Sequence, residues 1–139
     1  MFLVPEVVFL LAFGALAFGT PLRGSFTAIA ALSLVGALAF TGLGLLVGAR
    51  VQSAEAAAGW ANFVMMPMWL FSGVFFSYEL FPAALHPAIR ALPLTALSDA
   101  MRAVLNEAAP LSACLPQLAV LLLWTAGSFA LALRLFRWT

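Results

Sequence analysis

The chain has 139 residues, of which 65% are hydrophobic and 8% charged, and its net charge of +1 comes from six Arg and five acids with no Lys. A soluble domain carries about a quarter charged residues, so this balance and a mean hydropathy of +1.14 exclude a water-soluble globule and indicate an integral membrane protein. Scattered Arg residues give no nucleic-acid footprint, and the lone Cys114 excludes an internal disulfide.

A hydrocarbon core about 30 Å thick requires roughly 20 apolar residues of helix. Four stretches qualify, predicting an all-α membrane domain that occupies residues 1–139. The first covers about 1–19 and ends at Thr20-Pro21-Leu22-Arg23-Gly24, a polar turn. A cleavable signal peptide is the rival reading, but Glu6 stands where a basic leader belongs. The second, 26–48, carries no charge. Within it Gly44 and Gly48 form a Gly-x-x-x-Gly pair, which predicts close helix packing either inside the subunit or across a dimer.

A polar connector from Arg50 to Glu55 leads to the third stretch, about 57–78. Asn62, Met66, Trp69 and Gly73 fall at i, i+4, i+7 and i+11 and share one helical face. That face reads either as a deformable lining for amphipathic cargo or as ordinary helix packing. Pro67 is expected to kink the helix in its middle.

Residues 79–112 break the pattern. Pro82, Pro87 and Pro93 each remove a backbone donor, so no single helix can cross here. From Leu94 the apolar positions Leu94, Leu97, Met101, Val104 and Leu105 oppose Ser98, Asp99, Arg102 and Asn106. This pattern predicts a short amphipathic helix that lies in an interface or enters the membrane partway. Asp99 and Arg102, three apart, can pair on its polar side. The fourth stretch, about 115–133, is closed by Arg134 and Arg137, with Trp138 as an interfacial anchor.

The succession Ser72-Gly73, Phe75-Phe76, Pro82, Pro93-Leu94-Thr95, Asp99 and Arg102 resembles the C-terminal portion of a type-2 ABC transporter permease. In that family a span ending in Ser-Gly is followed by paired aromatics, a proline-rich outer segment and Pro-Leu-Thr ahead of an Asp-x-x-Arg helix. The chain departs from the pattern at Ser77, where the family has proline, and at Leu92 and Ala96, where Asn and Tyr are common. The resemblance implies six spans with cytoplasmic termini in a bacterial inner membrane. The four spans here then correspond to the third through sixth, and the first two are lacking. It also implies a second permease subunit and a cytoplasmic ABC ATPase, with Arg50 and Glu55 in the connector as the contact. Under that orientation Arg50, Arg134 and Arg137 face inward and Arg23, Arg90 and Arg102 outward. The positive-inside rule therefore ties, and the resemblance decides.

The resemblance points to a permease subunit of an ATP-driven exporter, forming the path of an amphipathic substrate such as a drug or lipid-linked saccharide. A scaffold subunit that transports nothing is the alternative. A chain without Lys cannot form a P-loop, so no ATPase chemistry and no cofactor are expected here, and ATP-Mg belongs to the partner. One His and one Cys, His86 and Cys114, cannot build a metal site. Ser72 with His86 gives an unconvincing serine protease, because Leu70 replaces the first glycine of its signature. The spans lack the inward charges of an ion-coupled transporter, and Glu6 sits near a span end.

Overall fold

In the computed structural model, which describes residues 3–18, 25–49, 51 and 53–135, every regular element is helical. The α-helices are α1 (Leu3–Phe18), α2 (Phe26–Gly48), α3 (Ala54–Phe71), α4 (His86–Arg90), α5 (Pro93–Glu107) and α6 (Leu115–Leu135), with single 3-10 turns at Tyr78–Leu80, Ala83–Leu85 and Leu111–Cys114. Two stretches are long and apolar enough to cross a bilayer, α2 with 23 residues and Leu111–Leu135 with 25. At 1.5 Å per residue each exceeds a hydrocarbon core of about 30 Å. α1 has 16 residues and α3 has 18, or about 24 and 27 Å. Among the described residues, two of the four expected crossings thus meet the length and hydropathy of a span.

The third stretch is shorter at its C-terminal end than the sequence pattern predicts. It starts at Ala54, where the Ser53 hydroxyl accepts the Ala56 N–H at 3.2 Å, and stops at Phe71 rather than near Tyr78. Its end is built by Ser72 and Gly73. The buried Ser72 hydroxyl donates to the Trp69 carbonyl at 3.1 Å and accepts the Val74 N–H at 3.3 Å. Gly73 follows at φ 75, a left-handed conformation that glycine adopts without steric cost. The apolar run continues through Phe76, but the backbone has already turned.

The prolines of the outer segment start helical pieces as well as ending them. Pro82 precedes the Ala83–Leu85 turn, Pro87 lies in the first turn of α4, Pro93 opens α5, and Pro110 precedes the Leu111–Cys114 turn. At such positions the ring sets φ for the helix, and the missing N–H had no intrahelical partner anyway.

Packing fixes the direction of each helix. One buried cluster joins Ala28, Ile29 and Leu32 of α2 to Ala100 and Val104 of α5 and to Cys114 at the head of α6. A second joins Ala39, Ala96 and Leu121. Further along, a Cβ at Gly42 would meet Phe129 Cδ2 at 3.0 Å and Ser128 Cβ at 3.1 Å. α2 and α6 are therefore parallel, and α5 runs antiparallel to both. α3 returns alongside α2, so that Gly48 and Ala57 line one end of the groove between them and Phe40 and Met65 the other. Residues 72–114 consequently leave and rejoin the bundle at the same end. The N-terminus of α5 lies beside Ala39, about 20 Å along α2 from Phe26.

The inner face of α5 differs from the expected one. Its most buried residues are Pro93, Thr95, Ala96, Ala100 and Val104, whereas Leu94, Leu97, Met101 and Leu105 are partly buried. The stripe Ala96, Ala100, Val104 repeats every four residues, and its small side chains let α5 sit between α2 and α6. The larger leucines wrap the flanks, as Leu97 does over Gly36, where a Cβ would lie 2.8 Å from Leu97 Cδ2.

Close helix approach in α2 occurs at Gly36 and Gly42. At Gly44 and Gly48 a Cβ would meet nothing within 4 Å. At 100° per residue Gly44 lies far round the helix from Gly42, so the two cannot share a contact face. The expected Gly44/Gly48 packing inside the subunit is thus replaced by Gly36 and Gly42, and the motif pair faces a groove of about 330 Å³ lined by α2 and α3.

Candidate transport surface

The residues expected to line a path lie on an element with little cover. Along α3 only Met68 is buried. Asn62, Met66 and Trp69 are exposed, Met66 at 72% and Trp69 at 52% of their full area, and Gly73 is partly covered. Asn62, Met66 and Trp69 keep their helical spacing within α3, whereas Gly73 falls beyond its last residue, Phe71, in a left-handed turn. Phe63, Phe75 and Phe76 are exposed too and continue this aromatic surface beyond the helix end. Trp60 and Phe63 pack edge to face, centroids 5.9 Å apart, beside a hollow that also includes Ala56 and Gly59.

The motif residues occupy distinct environments. Ser72 is fully buried in the turn that closes α3, and Pro82 is exposed at the start of a 3-10 turn. Pro93 and Thr95 are buried in the first turn of α5. The Thr95 Oγ1 has no hydrogen-bond partner among the described protein groups.

Asp99 is half-buried. Its carboxyl is raised above the usual range by burial, opposed first by Arg102 and then by Arg90. Arg102 acts on Asp99 through space, while its guanidinium donates to the Gly73 carbonyl at 2.5 Å, 29 residues away in the chain. In place of the expected contact pair on one helix face, the Arg102 guanidinium makes its hydrogen bond to another element.

Glu55 is exposed in the first turn of α3, where a carboxylate favours the helix dipole. Arg50, its expected companion at the connector, lies outside the described residues, as do Arg23, Arg137 and Trp138.

Sequence reasoning missed three contacts. The Trp124 indole N–H donates to the Ala91 carbonyl at 2.7 Å. Leu97 covers Gly36, and His86 Nε2 bonds the Phe81 carbonyl at 3.0 Å. A usable signal existed for the first alone, because a Trp in the middle of an apolar helix needs an acceptor for its N–H. Phe71 and Phe81 meet edge to face at 5.0 Å and bring the proline-rich segment back onto the end of α3. Among the described residues no cluster of three or more His, Cys, Asp or Glu could hold a metal. The arrangement provides an apolar surface with a polar link at Gly73.

Residues 1–134 match the family described as ABC-2 family transporter protein. No curated protein and no solved structure matches the chain.

Proposed function

Because this chain belongs to the ABC-2 transporter family and is a membrane permease component of an ABC transporter, we propose that it serves an ATP-driven exporter and that the exposed side of α3 carries its cargo. The observation behind this reading is the contrast between α5, whose Ala96, Ala100 and Val104 are at most 2% exposed, and α3, whose Asn62, Met66 and Trp69 are exposed. An element that leaves large apolar and aromatic side chains open along one side suits amphipathic cargo such as a drug or a lipid-linked saccharide. The fuel is ATP-Mg hydrolysed by a separate cytoplasmic ABC ATPase, because the chain has no Lys with which to hold phosphates. A second permease subunit completes the path opposite α3. Both termini face the cytoplasm of a bacterium. In this orientation the parallel α2 and α6 both carry the chain inward.

The test uses inside-out vesicles containing the chain and the ATPase that co-purifies with it, and reads ATP-dependent uptake of an amphipathic fluorescent dye. Trp69→Glu and Asn62→Asp are expected to lower uptake while leaving co-purification unchanged. Undiminished uptake in both variants removes the path from α3, and absence of ATP-dependent uptake from the native assembly favours a scaffold subunit that moves nothing.

A further inference from the structure

α3 is held to the rest of the bundle at few points: Met68 and Ser72 are its only deeply covered residues between Ala54 and Gly73. α5, by contrast, is wedged between α2 and α6 and further fixed at its start, where Trp124 of α6 bonds the Ala91 carbonyl. A charged side chain of the fixed element reaches the end of the loose one. Arg102, on the outward side of α5, donates to the carbonyl of Gly73, the residue whose φ of 75 turns the chain out of α3. A left-handed residue after a helix aims its carbonyl away from the helix axis, so this oxygen is not used by the helix itself. A charged donor gives it a bond about twice as strong as a neutral one.

We propose that Arg102 is a positioning residue: through the Gly73 carbonyl it ties the outer end of α3 to the wedged α5, so that Trp69, Phe75 and Phe76 keep a fixed orientation while the opposite half of α3, beside the open groove with α2, is free to move. The tether stands on the geometry alone, and its consequence for export rests on the reading of α3 as the cargo surface. Asp99, one turn back on α5, attracts the same guanidinium through space.

Hydrogen–deuterium exchange of the full chain in lipid nanodiscs tests the tether without any export readout. Arg102→Ala is expected to speed exchange of the amides at 73–76 about tenfold, the loss of one charge-assisted hydrogen bond, with residues 96–104 unchanged. Arg102→Lys keeps the charge and a donor and is expected to recover most of the protection. Arg134→Ala, at the far end of α6, serves as the control. Native exchange rates at 73–76 in the alanine variant overturn the tether. So does faster exchange at both 73–76 and 96–104 in the alanine and lysine variants alike, which would make Arg102 a residue that holds the fold together. Dye uptake at the native rate by an untethered Arg102→Ala protein overturns the positioning role and leaves the cargo reading, tested at Trp69, standing.

Discussion

The indole N–H of Trp124 and the carbonyl of Ala91 meet at 2.7 Å, joining the middle of α6 to the residue at which α4 ends. This bond lies beside the N-terminus of α5. Trp124→Phe keeps most of the ring and removes the donor. It is expected to lower stability by about 1–2 kcal/mol, measured as a reduced melting temperature of the purified chain in detergent, whereas Trp60→Phe, on the open side of α3, is expected to change little.

The glycines of α2 separate by face. Gly42→Ala places a methyl 3.1 Å from the Ser128 Cβ, an atom fixed to the α6 backbone, so the helices must part at a cost of about 1–3 kcal/mol. At Gly36 the obstruction is the end of the Leu97 side chain, which can rotate, and a smaller loss is expected. Gly44→Ala meets nothing and gains helix propensity, so about 0.5–1 kcal/mol of added stability is expected for the isolated chain. Chemical unfolding of the three variants under identical conditions checks this order.

Ala108 closes α5 at φ 52 and ψ 30, with its N–H turned back to the Ala103 carbonyl. A Cβ in this left-handed conformation is crowded, and glycine is not. Ala108→Gly is expected to stabilise the protein by about 1 kcal/mol, seen as a higher melting temperature with unchanged helical content by circular dichroism.

Thr95 is fully buried and its hydroxyl has no partner among the described groups. Replacing an unsatisfied hydroxyl by a methyl of similar shape removes a desolvation cost of about 1–3 kcal/mol. Thr95→Val is therefore expected to be neutral or stabilising, and Thr95→Ala, which leaves a void between helices, to be destabilising. Melting temperatures of the two variants decide between this account and a structural role for the hydroxyl, which would make both substitutions harmful.

Read from end to end, the sequence determined the solvent and the class of the protein. With 65% apolar residues and 8% charged, a membrane is the medium that avoids exposing so much hydrocarbon to water. The limits of α2, from Phe26 to Gly48, were legible because the run carries no charge and is bounded by turn residues. The helical spacing of Asn62, Met66 and Trp69 was legible because periodicity is local, while Gly73 falls beyond the end of α3. The order of the Ser-Gly, Pro-Leu-Thr and Asp-x-x-Arg motifs pointed to the family. Even the early stop of α3 had a local signal, Ser72-Gly73, overridden by the apolar run through Phe76.

What only the tertiary structure decided depends on atoms distant in the chain. Whether Gly36 and Gly42 or Gly44 and Gly48 pack against a neighbour depends on where Leu97 and Phe129 arrive, and no spacing within α2 encodes that. α5 buries its alanines rather than its leucines because two helices press on it from different sides, a constraint absent from an amphipathic pattern that assumes one apolar surface. Arg102 meets Gly73 across 29 residues because the chain between α3 and α6 turns back to the same end of the bundle, which places a charged donor beside a carbonyl that its own helix had left unused.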